Sequence, residues 1–163
     1  CIRYGPLVLV EPTNYEARAQ VMWTSSIALN GLLGYGRVSD WATHGIEHAV
    51  SATYDVTHGV GLAILTPHWM KYVLDEETGW KFAEYAQNVW QLKGSNELKI
   101  AKKGIEKTRD FFKSLGMPTT LREVGVKEHD LEKIAGKTVS RGDVGKFKRL
   151  RKDDVLAILK NAF

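Results

Sequence analysis

The sequence holds a single cysteine, Cys1, so no intrachain disulfide framework can brace it, and the composition fits a reducing, cytoplasmic setting. It has no apolar run of membrane-spanning length; the longest, such as Gly59 to Leu65, stop far short of ~20 residues. No basic-apolar-small signal pattern opens it. Alternating β-patterns do not persist, and there is no internal repeat or low-complexity tract. These absences point away from a secreted scaffold, a membrane protein and a sheet protein.

What remains is a 163-residue chain, 44% hydrophobic and 26% charged, of a size for one domain. It opens on Cys-Ile-Arg-Tyr-Gly-Pro in mid-pattern, and is read as a piece of a longer protein. The net charge of +4 is uneven. Residues 1–90 carry five Lys/Arg against nine Asp/Glu, and residues 91–163 carry 18 against 10. Acidic residues interleave with the basic ones, as along Lys102, Lys103, Glu106, Lys107, Arg109 and Asp110, the pattern of a solvated helix face. Neither nucleic acid nor membrane is therefore expected as a partner.

Helical signals recur. Thr13-Asn14-Tyr15-Glu16 reads as a capping box with Thr13 as the cap, opening a helix that Gly31 and Gly34 end. Ser25, Ser26 and Ala28 on it suggest close packing against another helix. Ser39 and Asp40 offer caps for a second helix, Trp41 to about Tyr54. After a reversal at Asp55-Val56-Thr57, a third starts near His58, with Pro67 expected to kink or restart it. Further helices are expected over about Thr78–Trp90, Asn96–Leu115 and Asp153–Ala162, with short helical pieces at Leu121–Val124 and Glu128–Ala135 and a basic loop at Gly136–Leu150. The five tryptophans are assigned to core and interfaces.

Four of the five histidines, His44, His48, His58 and His68, lie within 25 positions. His44 and His48, four apart, share a helix face and can serve one metal ion. His44-Gly45-Ile46-Glu47-His48 also fits the H-x-x-E-H pattern of an inverted zinc peptidase. Glu47 would then activate water, with Glu123 or Glu128 as a third ligand. His44 and His58 are 14 apart. On one unbroken helix they would stand ~21 Å apart, so both can reach one metal only if the chain reverses between them. Gly59 and Gly61 would let the two helices come close. His68 and His129 are given no chemical role.

The run from Gly36 to His48 and its continuation from Asp55 to His68 resemble the iron-containing alcohol dehydrogenases, more closely their butanol dehydrogenase-like branch. Here a third histidine, His58, follows His48 by ten residues and is itself followed by Gly59. Asn14 to Arg18, Ser114 to Leu121 and Lys152 to Leu159 are similar to the family's flanking segments, so the resemblance spans nearly the whole chain. It implies an all-α, antiparallel helical domain over residues 1–163, the dehydroquinate synthase-like C-terminal domain of the family. The N-terminal dinucleotide-binding domain would lie outside this chain. It also implies His44 and His58 as metal ligands, and His48 beside them as proton relay and nicotinamide neighbour. The implied cofactors are a divalent metal, iron or zinc, and NAD(P)H. The implied partners are the missing N-terminal half, a small alcohol or aldehyde, and further copies in a homo-oligomer. The family's Asp-x-x-x-His pair, which supplies the other two ligands, and its glycine-rich cofactor segment are not found ahead of the histidines. By itself the chain is therefore expected to be inactive. Against this stand the zinc peptidase reading and that of a helical interaction module without chemistry.

Overall fold

The computed structural model describes residues 1–163. Eight α-helices succeed one another: α1 (Tyr4–Val10), α2 (Tyr15–Leu29), α3 (Ala42–Tyr54), α4 (His58–Val73), α5 (Gly79–Trp90), α6 (Glu97–Ser114), α7 (Leu131–Thr138) and α8 (Lys152–Asn161). The only β-type pairing is an isolated antiparallel bridge between Val144 and Leu150. The fold is thus the all-helical one expected.

Helix α4 lies at the centre and touches α3, α6 and α8, while α7 packs on both α3 and α8. The core they share includes Ile46 and Val50 of α3, Ile64 and Leu65 of α4, Leu131 and Ile134 of α7, and Ile158 and Leu159 of α8. Each is buried, and a side chain of this size removed from water contributes about 1.5–3 kcal/mol. Pro67 neither breaks nor restarts α4, which runs through it to Val73. Pro67 is itself buried among the core helices, whose packing outweighs the hydrogen bond that its missing N–H forfeits.

Several local expectations change. The first cap is Asn14, not Thr13: its Oδ1 accepts from Ala17 N–H at 3.0 Å. Ser25 and Ser26 pack on no partner; both are exposed and their hydroxyls donate back to the Met22 carbonyl. Helix α7 extends to Thr138, and the chain beyond it forms a strap closed by the Val144–Leu150 bridge. Helix α1 has no side-chain cap bond and buries no residue, so no pattern announced it. None of the five tryptophans is fully buried, and Trp23, Trp41 and Trp80 are more than half exposed.

Helices α5 and α6 pack along the most extensive contact of any pair. Their approach needs Gly104, where an added Cβ would stand 2.5 Å from the Ala86 Cβ and 3.1 Å from its Cα. Helix propensity favours Ala over Gly by ~1 kcal/mol, but overpacking costs ~1–3 kcal/mol and backbone cannot give way. Gly104→Ala should therefore lower the unfolding free energy. Gly59→Ala in α4, with nothing within 4 Å of the new methyl, should leave it unchanged or raise it. Urea denaturation of both variants tests this, and equal signs would contradict it.

Candidate metal centre

Helix α3 ends at Tyr54, and Asp55 takes the left-handed conformation (φ 52°), which Asp tolerates better than most residues. Val56 and Thr57 complete the reversal, and His58 begins α4. The turn folds α4 back beside α3 and brings the 14-residue separation down to contact. The His44 and His58 ring centroids are 5.1 Å apart, His48 and His58 5.3 Å, and His44 and His48 6.2 Å. The three imidazoles therefore form one cluster, with His48 exposed and His44 half-buried. His68 is on the same helix ten residues on, ~15 Å along the axis, and takes no part. His129 lies in a separate short helical turn and is exposed.

Beneath the rings is a residue whose role the sequence left open. Glu47 is fully buried. Its Oε2 meets His58 Nδ1, and its Oε1 lies within hydrogen-bond reach of the Ser51 hydroxyl, which also reaches the Val56 carbonyl at 2.8 Å. A carboxylate accepts, so the ring nitrogen that donates to Glu47 is Nδ1 of His58, which leaves Nε2 as the nitrogen not engaged by Glu47. This is how a carboxylate fixes the tautomer and aim of a metal-binding histidine. Gly61 makes room for it: a Cβ there would stand 2.7 Å from both Cγ and Oε1 of Glu47. The helices approach closely at Gly61, as the sequence suggested, and they do so around a carboxylate.

The donor atoms of Glu47, His48 and His58 lie within 4.8 Å of one another, a set tighter than one including His44. Both Glu47 oxygens already face partners, however, so we count Glu47 as the support of His58 and the three imidazoles as the free donors. His44 is held in its neutral form chiefly by burial, then by the neighbouring His58 and His48, which lowers its pKa. A neutral imidazole is the form that binds metal. The donor set of nitrogen ligands suits iron or zinc alike. The peptidase reading finds no support at Glu47, which is fully buried and turned toward His58 and Ser51 rather than toward solvent. Glu123, its proposed third ligand, instead accepts from Thr119 and Thr120, and Glu128 belongs to the short turn that carries His129.

If Glu47 sets the His58 tautomer, histidine nitrogen NMR of the chain should find the proton on Nδ1. Glu47→Ala and Gly61→Ala should each weaken that preference, the first by removing the acceptor and the second by displacing it. A wild-type His58 protonated on Nε2 alone would contradict the assignment.

Residues 2–163 match the family model described as "Fe-containing alcohol dehydrogenase family, C-terminal". The chain is 48% identical over 166 residues to NADH-dependent butanol dehydrogenase B of Clostridium acetobutylicum, covering 99% of this chain and 43% of that protein. It is 38% identical to NADPH-dependent aldehyde reductase YqhD of Escherichia coli, over 86% of this chain and 36% of that one. The crystal structure of NADH-dependent butanol dehydrogenase A from Thermotoga maritima superimposes with a TM-score of 0.92 at 36% identity, over 99% of this chain and 42% of that chain. The chain thus spans about two-fifths of the length of these relatives.

Proposed function

The chain belongs to the Fe-containing alcohol dehydrogenase family, and from that premise we propose that it is the metal-binding helical part of an NAD(P)H-dependent enzyme that interconverts small alcohols and aldehydes. The observation that carries the reading is the convergence of His44, His48 and His58 above a buried Glu47. In this reading His44 and His58 hold a divalent cation, iron by family. The remaining protein ligands and the dinucleotide site come from a segment outside these 163 residues.

That segment has a surface to meet. Exposed large apolar side chains concentrate in residues 2–41, among them Leu9, Val10, Met22, Trp23, Leu29 and Tyr35, each at least 59% exposed. Helix α2 buries only Ala17. An apolar expanse of this kind on a water-soluble fold marks a face that another body covers. We assign it to the rest of the full-length protein; assembly into homo-oligomers is a further use of such a face. No helix is long and apolar enough to cross a membrane.

When bound, the cation supplies Lewis acidity at the substrate oxygen and the nicotinamide gives or takes the hydride. The chain's own residues supply the rest. Glu47 keeps the His58 proton on Nδ1 and turns Nε2 outward. Burial keeps His44 neutral. His48, exposed beside both, takes the hydroxyl proton during alcohol oxidation and returns one during aldehyde reduction. An imidazole suits this because its pKa lies near neutrality. The same position places His48 against the nicotinamide in this reading.

The test uses the full-length protein. His44→Ala and His58→Ala should each lose metal, with activity following metal content. His48→Ala should keep its metal and lose turnover by ~10²–10⁴, with an altered pH profile. Elemental analysis and steady-state kinetics read both. A metal-free His48→Ala protein beside a fully loaded His58→Ala protein would overturn the assignment. The 163-residue chain alone should bind metal weakly and oxidise no alcohol; robust alcohol-dependent reduction of NAD(P) by it would contradict the proposed division of the site.

A further inference from the structure

Asp40 stands one turn before His44, half-buried, and its two oxygens serve different parts of the chain. Oδ1 accepts from Ala42 N–H at 2.8 Å, at the start of α3. Oδ2 accepts from Lys146 N–H at 2.6 Å and Phe147 N–H at 2.8 Å, more than a hundred residues away. One carboxylate thus receives three backbone donors, bonds of the stronger, charge-assisted kind. It joins the first turn of the histidine helix to the strap between α7 and α8.

The contact is close on both sides. Gly145, at φ 92°, lies so near that an added Cβ would stand 3.3 Å from Asp40 Oδ2 and 3.4 Å from the Ala42 Cβ. One residue earlier on the strap, Val144 lies over Gly45, its Cγ1 3.5 Å from where a Cβ on Gly45 would be. Gly45 is the residue after His44. On the other side, the Trp41 ring meets the His44 ring edge-on, with centroids 4.7 Å apart. His44 therefore lies between two contacts, Trp41 against its own ring and Val144 over the next residue, Gly45.

We propose that Asp40 is a positioning residue: by tying the strap to the first turn of α3, it fixes where the His44 imidazole stands. The consequence for catalysis rests on the reading of His44 as a metal ligand; the positioning itself does not. The strap has other anchors. Lys148 Nζ binds Asp75 Oδ2 at 2.6 Å, and the Phe147 ring meets those of Trp69 and Phe82. Removing Asp40 therefore unties the strap from the first turn of α3 without releasing it from the domain.

The experiment is NMR on the full-length protein, labelled at histidine and at the strap and core amides and free of metal and substrate, for wild type, Asp40→Ala, Asp40→Asn and Lys148→Met. In Asp40→Ala the Lys146 and Phe147 amides should exchange about tenfold faster or more. The His44 ring resonances should shift as their relation to Trp41 changes. Amides of Ile158 and Leu159 should keep their wild-type rates, which shows that the core is intact. In Asp40→Asn a single carbonyl oxygen can serve only one of the two sides, so either Ala42 or the strap pair opens and the His44 shift is smaller. This variant carries the test if the alanine variant does not fold. Lys148→Met should leave the His44 signals in place. The proposal falls if the strap amides open while the His44 ring signals stay put, if those amides do not respond, or if Lys148→Met moves His44 as far as Asp40→Ala does. Absence of dehydrogenase activity in the full-length protein would sink the functional reading and leave this result standing.

Discussion

A buried carboxylate between two helices is the constraint on which the histidine cluster depends. Glu47 reaches out from α3 to the first residue of α4, and it is wholly removed from water. Taking a charge out of water is costly unless it is paired and hydrogen-bonded. Here His58 and Ser51 answer the two oxygens, one on each side. That requirement couples packing to chemistry: the helices must approach closely enough for the pair to form, and Gly61 permits it by presenting no side chain. The same contact that satisfies the carboxylate also aims an imidazole, so a stabilising need and a functional one meet in one residue.

Much of the arrangement could be read from residue types and spacing. A 14-residue gap between two histidines demanded a reversal, and Asp55-Val56-Thr57 offered one; the chain turns there. The 3.6-residue period put His44 and His48 on one face, and their rings lie 6.2 Å apart. The role of Glu47 was hidden because the motif around it also fits a zinc peptidase, where the same residue faces water. Only the distance to His58, eleven residues on, distinguishes the two. The glycine three places after His58 was the available clue, since it marks where α3 comes closest.

What escaped was of two kinds. Helix α1 has no side-chain cap and no buried face, so neither end signals nor periodicity could reveal it. The strap beyond α7 falls in the stretch Gly136–Leu150 that reads as a basic loop, but its order comes from partners remote in sequence: Asp40 for its backbone, Asp75 for Lys148, and the aromatic rings of Trp69 and Phe82 against Phe147. Such long-range contacts leave no periodic trace. Thr13 and Asn14 differ for a subtler reason, since both are good caps. Asn14 also donates to Glu11 at 2.7 Å, and that second bond holds it in the capping position.

The three-residue turn between α3 and α4 also governs how this part of the sequence can change length. Each residue of a helix advances its successor by about 100° around the axis. One residue added to or removed from Asp55-Val56-Thr57 would thus change where α4 starts or which of its sides meets α3, and Gly61 would no longer lie over Glu47. The link of residues 91–96 between α5 and α6 bears no member of the cluster and is largely exposed. Insertions and deletions should accumulate there during divergence, while the turn ahead of His58 keeps its length even where its residues change.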